Sequence, residues 1–503
     1  MKQFTVTITD NVNQQLLDHL LREDGQEDLC FAIYAPSNGN IRSGAIVAEL
    51  ILPLEGDRVV HGNVGFMPAY FERALQVARK KKAGLAFLHS HPVPGWQGMS
   101  QDDIVAETRM APTVMGATDL PLLGLTAGTD GAWSARFWLK DQAQKRKFER
   151  YWCQSVKVLG KGLSITFNDA LLKPTFDKEK QLRTISAWGS ATQEDLSRLK
   201  IGIVGLGSVG SIVAEILART GISNFVLIDF DLVEEKNLDR LTNVFKDHIG
   251  RQKVEVIREA ILRSATAPRV TVEACPYSIC EKEGYYAALD CDILFSCVDR
   301  PWPRQVINFI AYAHLVPVID GGILVRTNRN NTALAGADWK VQTVGYKRPC
   351  LECLGQYKAE NATLEQSGML DDPSYLKGLD KASFINAHEN VFAFSSNLAS
   401  LEVLQMLSLF TQPSGIADVG QQMHHFVIGR MNVITNNCHE NCFFLSIVGK
   451  GDSTGIEVYG EHKVAEETRK RFINSIASPK ESVGFINKIK ESLRRFFRNV
   501  ELY

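Results

Sequence analysis

Two histidines one residue apart, His89 and His91, close the apolar run Gly84-Leu-Ala-Phe-Leu-His89-Ser-His91-Pro92. Side chains at i and i+2 of a strand point the same way, so both imidazoles converge on one site. A short way on, Ser100-Gln-Asp-Asp103 opens a helical segment. Two same-face imidazoles and a carboxylate make a three-ligand zinc set whose fourth position is left for water. Zinc held there lowers the pKa of that water to about 7 and polarises a carbonyl, which is the chemistry of hydrolysis. The plainer reading is a Ser100–Asp103 capping box before Ile104 beside a polar cluster at a strand end. Capping and ligation are compatible.

A second constellation begins at Ile201, where an apolar run leads into Gly205-Leu-Gly207-Ser-Val-Gly210 and a helical pattern from Ser211 to Arg219. Another apolar run, Phe225 to Ile228, ends at Asp229. Strand, glycine turn, helix, strand and acid form a nucleotide-binding βαβ unit. Gly205 serves the tight turn, Gly207 lets backbone approach a phosphate, and Gly210 lets helix and strand pack closely. A dinucleotide oxidoreductase needs the ribose acid but no basic cluster beside it. Here Asp229-Phe-Asp231 is followed by Asn237-Leu-Asp-Arg240 and Gly250-Arg-Gln-Lys253. Arg240 and Lys253 supply two cations suited to charge build-up in attack on an α-phosphate. Asp299, after the apolar run Ile293 to Val298, is an acid at a strand end beside a triphosphate and hence a magnesium ligand; Arg304 follows it.

The glycine segment resembles the adenylating domain of ubiquitin-activating enzymes and their bacterial ThiF/MoeB-type relatives in thiamine and molybdopterin synthesis. That resemblance implies an ATP site in which Asp229 holds the ribose, Arg240 and Lys253 hold phosphates and Asp299 binds Mg2+, with Asp231 and Asn237 in the same set. Where the family usually has Asn after the magnesium acid, this chain has Arg300. The resemblance also implies an arginine that reaches into a partner subunit's ATP site. Arg183 has that place, with Arg198 as its competitor on a helix expected to expose it; the role requires a homodimer. The pattern HSHP-x7-S-x-x-D is similar to the JAB/MPN (JAMM) metalloproteases, the deubiquitinase-type isopeptidases. That family sets its catalytic glutamate at the head of an early strand, which maps onto Glu27 before Cys30-Phe-Ala-Ile-Tyr34, with Glu49 as fallback. Ser100 then hydrogen-bonds the water or the oxyanion.

Cys350-Leu-Glu-Cys353 has zinc-knuckle spacing, and Cys438-His-Glu-Asn-Cys442 can complete a tetrahedron of thiolates. The resembling adenylating family has such a structural zinc, usually with CxxC in both halves. The alternative is that one of these cysteines is a thioester nucleophile. No cysteine lies between Cys353 and Ser395, where many ubiquitin-activating enzymes carry theirs.

The elements needed to hold these residues can be traced along the chain. Leucines at 16, 17, 20 and 21 give a helix over Asn13–Arg22. Leu29–Tyr34 reads as a buried strand, and Phe71–Lys82 as an amphipathic helix whose basic end suits the helix dipole. Two strands flank the Gly128-Thr-Asp-Gly131 turn. Residues 140–180 read as an irregular connection with one strand near Val156–Phe167. The expected organisation is α/β throughout. A JAB/MPN, cytidine-deaminase-like α/β domain (1–165) and a linker (166–182) precede a Rossmann-like doubly wound adenylating domain (183–448). An extension (449–503) ends in a basic amphipathic helix. In that helix Ser478-Pro-Lys-Glu481 caps a stripe of Ile486, Ile489, Leu493, Phe496 and Val500. Residues 361–390 read as a polar crossover loop able to grip a substrate tail.

Composition bounds the rest. A chain of 503 residues needs two to four cores. Its 56 Lys and Arg balance 57 Asp and Glu, so no bulk field recruits nucleic acid or anionic lipid. No leader precedes Phe4, and segment 391–410, which carries Asn397, Glu402 and Gln405, reads as a buried helix rather than a membrane span. Ten cysteines, some as CxxC, suit a reducing, cytoplasmic compartment. The expected activity is therefore double. A zinc isopeptidase releases the C-terminal glycine of a ubiquitin-like protein, and an ATP-dependent adenylyltransferase activates it, with a conjugating enzyme as possible further partner. Such pairings resemble bacterial ubiquitin-like modification systems, including ones tied to antiviral defence. The alternatives are sulfur-carrier activation for cofactor synthesis and a non-catalytic scaffold for ubiquitin-like tails.

Overall fold

The structure, a computed structural model, describes residues 2–477 apart from 62, 142, 145–146, 329–332 and 372–389. The Ser478 capping box, the apolar stripe after it and most of the crossover loop lie outside the described residues.

The first half is built on a nine-stranded mixed sheet ordered β11-β10-β1-β3-β2-β6-β7-β8-β9. Its strands are β1 (Gln3–Thr9), β2 (Leu29–Asn38), β3 (Arg42–Ile51), β6 (Gly84–Ser90), β7 (Leu122–Ala127), β8 (Trp133–Lys140), β9 (Phe148–Trp152), β10 (Ser155–Leu159) and β11 (Leu163–Phe167). A separate hairpin pairs β4 (Arg58–His61) with β5 (Asn63–Phe66). Helix α1 (Asp10–Leu20) covers one face, where Leu16 and Leu20 are fully buried against Val6, Ile8 and Trp133. Helices α2 (Pro68–Lys81) and α3 (Gln101–Thr118) cover the other through Tyr70, Ala74, Met110 and Val114. The expected single strand near Val156–Phe167 is instead the antiparallel hairpin β10–β11, and with β9 it takes the middle of the expected connection into the sheet. The turn at Gly160-Lys-Gly162 breaks the run.

The second half carries an eight-stranded sheet ordered β14-β13-β12-β15-β16-β17-β18-β19. These are β12 (Lys200–Val204), β13 (Asn224–Ile228), β14 (Thr271–Cys275), β15 (Ile293–Ser296), β16 (Val318–Thr327), β17 (Leu334–Val344), β18 (Gln421–His425) and β19 (Arg430–Ile434). The first five are parallel and the last three antiparallel. Strand order reverses between β12 and β15, the switch point of a doubly wound sheet, where ligands bind at the carboxyl ends of strands. Around it lie α4 (Leu182–Trp188), α5 (Ser190–Arg198), α6 (Ser208–Thr220), α7 (Lys253–Ser264), α8 (Lys282–Leu289), α9 (Pro301–Ala313), α10 (Ala359–Gln366) and α11 (Phe392–Thr411), followed by α12 (Lys463–Ala477). Helix α11 is the segment read as buried rather than spanning, and no helix among the described residues is long and apolar enough to cross a membrane. Helix α10 occupies the start of the expected crossover loop.

The halves share a seam. Ile46, Leu159, Leu163 and Phe167 of the first sheet join the same apolar cluster as Ile201, Leu315 and Leu409. Across it the Asp290 carboxylate accepts the Arg42 N–H (2.9 Å), and the Arg42 guanidinium donates to Asp292 (2.7 Å).

Candidate functional site

Strand β6 delivers His89 and His91 to one place. Nε2 of His89 lies 3.2 Å from Nε2 of His91, and each lies 3.3 Å from one oxygen of Asp103. Asp103 arrives from the first turn of α3, whose capping box is also present: Asp103 N–H donates to Ser100 Oγ (3.1 Å) and Ser100 N–H to Asp103 Oδ2 (2.7 Å). The capping box is thus present, and the same carboxylate faces both imidazoles. A tetrahedron around zinc with bonds of about 2.0–2.1 Å has edges of roughly 3.3–3.4 Å, so the three donors are spaced as zinc ligands are. Burial works to raise the Asp103 carboxyl, but hydrogen bonding to His89 and His91 outweighs it and holds it well below the usual carboxylate range.

Glu27 is half-buried just ahead of β2. Leu29 pairs with His89 in β2–β6, and the Ser90 N–H continues the ladder to the Asp28 carbonyl (3.1 Å). Glu27 stands two residues before Leu29, where the paired register begins. Glu49, by contrast, pairs with Ile33 further along the sheet and with Lys81 in an exposed ion pair, so it is not brought to the site.

Behind the histidines is a polar layer that spacing does not reveal. Thr126 Oγ1 is 3.4 Å from His89 Nε2 and accepts from Arg136 Nη1 (2.5 Å). The Arg136 guanidinium also pairs with Glu107, and both side chains are fully buried. Trp138 Nε1 donates to the same carboxylate (2.5 Å). Gly124 makes room for this pair, since a Cβ there would lie 2.5 Å from Glu107 and 2.6 Å from Arg136. Glu107 sits one turn after Asp103 on α3, and that spacing is its only trace in the sequence.

In the second half, Gly205 has φ +87° and a Cβ on it would strike the Cys297 carbonyl at 2.6 Å. Gly210 packs its Cα against the Gly205 carbonyl, leaving 1.9 Å for a Cβ, whereas Gly207 faces open space. The three glycines thus have three separate reasons, and the open one faces the N-terminus of α6, where free N–H groups favour an anion. Asp229 is 9% exposed, and its oxygens accept the N–H groups of Leu206 (2.6 Å) and Asp231 (2.7 Å). It ties the glycine turn to β13. Burial raises its carboxyl, with Lys253 opposing. Lys253, at the start of α7, donates to Asp231 (2.8 Å). Burial disfavours its ammonium, but Asp229 and Asp231 outweigh that and raise it. Asp299, at the exit of β15, is exposed, and its charge adds a smaller contribution to raising Lys253. An exposed carboxylate at that place fits a hydrated magnesium ion.

Arg240 and Asn237 lie on the connection between β13 and α7. Asn237 is buried, its Oδ1 accepting the Glu234 N–H (3.0 Å). Arg240 donates to the Lys236 carbonyl (2.7 Å) and Asp239 (3.0 Å), on a loop that the Ser211 hydroxyl ties to α6 through Thr242 N–H (3.3 Å). Arg304 does not join Asp299; it donates to the Gln356 and Gly321 carbonyls (both 3.0 Å). Arg183 is exposed on α4. Arg198 is not exposed as expected: it is buried over the Phe167 ring and paired with Asp169 and Asp195. Two residues near the glycine loop carried no functional signal in the sequence. Asn390 donates to Ser208 Oγ (2.7 Å), and Glu402, fully buried on α11, accepts from Cys297 Sγ (3.6 Å). Burial pushes the Glu402 carboxyl well up.

Cys350, Cys353, Cys438 and Cys442 bring their sulfurs within 4.8 Å of one another, and Cys350 and Cys442 are 3.6 Å apart. Zinc–sulfur bonds of about 2.3 Å give edges of roughly 3.8 Å, so this set also fits. The Cys353 and Cys350 N–H groups donate to Cys350 and Cys438 sulfur (3.3 and 3.2 Å). Hydrogen bonding to Cys350 holds the Cys438 thiol below its ordinary range, toward the ligating thiolate, while Cys350 is pushed up.

The sequence profile of the ThiF family matches residues 179–441. Molybdopterin-synthase adenylyltransferase of Escherichia coli (strain K12) is 30% identical over 181 residues, which cover 35% of this chain and 68% of that protein. Ubiquitin-like modifier-activating enzyme 5 of Oryza sativa subsp. japonica is 33% identical over 129 residues, covering 23% of this chain and 30% of that protein. Among solved structures, E. coli MccB with ATP aligns at a TM-score of 0.39 and 20% identity over 53% of this chain and 74% of that one. With the glycine loop, its acids and the sequence match all in the second half, the chain belongs to the ThiF family and carries there an adenylyltransferase-type domain of the ThiF/MoeB kind.

Proposed function

We propose that this chain is a two-site enzyme acting on one extended protein tail. The second half adenylates a C-terminal glycine with ATP, and the first half, a JAB/MPN-type zinc isopeptidase, releases that glycine from a precursor or a conjugate. The observation that carries the reading is the gathering of Asp229, Lys253 and Asp299 around the open Gly207 and the N-terminus of α6.

In adenylation, a carboxylate oxygen of the tail attacks the α-phosphorus of ATP. The bond from that phosphorus to the bridging oxygen breaks, and pyrophosphate leaves. Lys253 turns from Asp231 to the phosphates, Arg240 follows from its loop, and Asp229 holds the ribose while fixing the turn. Asp299 would hold Mg2+, which supplies charge neutralisation to the polyphosphate when bound. Arg183 serves the ATP site of a partner copy in a homodimer. In hydrolysis, His89, His91 and Asp103 would hold Zn2+, which when bound acidifies a water and polarises the scissile carbonyl. Glu27 takes the proton of the attacking water and returns it to the departing amine, and the Ser100 hydroxyl donates to the oxyanion. The four cysteines would hold a structural zinc; their convergence favours this role over a thioester nucleophile.

A second reading, activation of a sulfur-carrier protein, is favoured by the likeness to molybdopterin-synthase adenylyltransferase. Both readings place a glycine-tailed protein in the ATP site. The test is ATP–pyrophosphate exchange by the purified chain with and without such a protein. Exchange that depends on the carrier, and that Asp299→Ala lowers by about a hundredfold or more while cleavage of an extended carrier persists, supports the proposal. No exchange with any glycine-tailed protein defeats it.

A further inference from the structure

The match to the ThiF family ends at residue 441, yet the chain continues and returns to the nucleotide crevice. In a nucleotide the phosphates hang from one end of the ribose and the base from the other. With phosphates at Gly207 and α6 and the ribose at Asp229, the base must project past Asp229. The loops at the carboxyl ends of β13, β14 and β15 wall that end of the crevice. Phe230 follows Asp229 at the end of β13, Tyr277 stands just beyond β14, and Trp302 opens α9 after β15.

The segment from Ile456 to α12 lies across all three. The His462 ring stands edge-on to Phe230, with centroids 5.1 Å apart, and edge-on to Trp302 at 5.4 Å. Its approach is pinned by Trp302 Nε1 donating to the Val458 carbonyl (3.1 Å) and by Gly460 N–H donating to the Cys280 carbonyl (2.8 Å). From α12, Arg469 lies over the Tyr277 ring at 4.4 Å and donates to Glu281 (2.8 Å). These are built contacts, buried at Trp302 and Glu281, rather than the loose lie of a tail.

We propose that the segment 456–477 completes the ATP site, with His462 and Phe230, backed by the buried Trp302, forming the wall against which the nucleobase packs. The proposal rests on the reading of an ATP site at the glycine loop. Aromatic rings hold a base by stacking and edge contact, and such contacts are lost one by one on truncation to alanine. Arg469 acts at one remove, as a positioning residue that clamps α12 to the β14 loop.

The experiment is calorimetric titration of the full chain with ATP and with tripolyphosphate, which has no base. His462→Ala should weaken ATP about fivefold or more and leave tripolyphosphate unchanged. His462→Phe should restore much of the affinity. Arg469→Ala should weaken ATP in the same selective way, and thermal melting of each variant separates unfolding from the effect. Unchanged ATP affinity in His462→Ala, or equal weakening of both ligands, overturns the proposal. If the unaltered chain binds neither ligand, the nucleotide reading itself falls; if it binds both equally well, only the wall does.

Discussion

Asp103 meets two demands with one carboxylate. One oxygen closes the capping box of α3 while also facing His91, and the other faces His89. A helix start and the histidine pair are thereby tied to the same side chain. Metal analysis of the purified chain is therefore expected to find two zinc ions, one per cluster. His89→Ala should lower the count to one without touching the cysteine set; an unchanged count would remove the histidine site. His89, His91 and Asp103 were legible because their spacing is local: i, i+2 on a strand and the third position of a helix. Thr126, Arg136 and Glu107 were not, because what joins them is a fold contact between residues far apart in the chain. The burial of Arg198 is hidden for the same reason, since the Phe167 ring it lies over ends β11 in the sheet of the other half.

At the scale of elements, the crossing of β12 and α6 depends on the absence of a single side chain. A Cβ at residue 210 has 1.9 Å to the Gly205 carbonyl. Gly210→Ala must push α6 off the strand, at a cost of about 1–3 kcal/mol, and should weaken ATP by moving the helix N-terminus. Denaturant unfolding read alongside ATP binding checks both effects; a variant of unaltered stability would show that the turn yields freely. Helix α3 offers the second test. Glu107→Ala leaves the Arg136 cation buried and is expected to cost about 3–5 kcal/mol in the same assay. Replacing both by apolar residues should recover most of that, because the desolvation of both charges is then avoided. The βαβ unit was plain in the sequence, since apolar runs and glycine spacing state its period outright. The β10–β11 hairpin was not, because the short turn around Lys161 gives weaker punctuation than a proline or an Asn-Gly pair.

For the whole molecule, the seam between the halves is polar as well as apolar. His314, 4% exposed, is bonded to Ser37 of β2 (2.9 Å) and to Tyr285 of α8 (2.9 Å). Burial lowers its pKa from 6.5 to about 3, so the folded chain keeps it neutral. Below pH 6.5 the unfolded chain takes up a proton that the folded one refuses, and stability falls as pH drops from 6.5 toward 3. At pH 5 the loss from this group is about 2 kcal/mol. Melting curves at pH 7 and pH 5 should show that loss in the unaltered chain and a smaller one in His314→Gln. Equal losses would mean that other groups govern the acid response.

The Arg42–Asp292 contact and the Asp290 cap on the Arg42 N–H have a further consequence. Each half, made alone, would expose a charge that only the other can neutralise, along with the oily flank of Ile46 and Leu163. The two pieces should therefore behave poorly as separate products and recover on co-expression. Lineages that shuffled them apart would have had to rewrite both banks of the join.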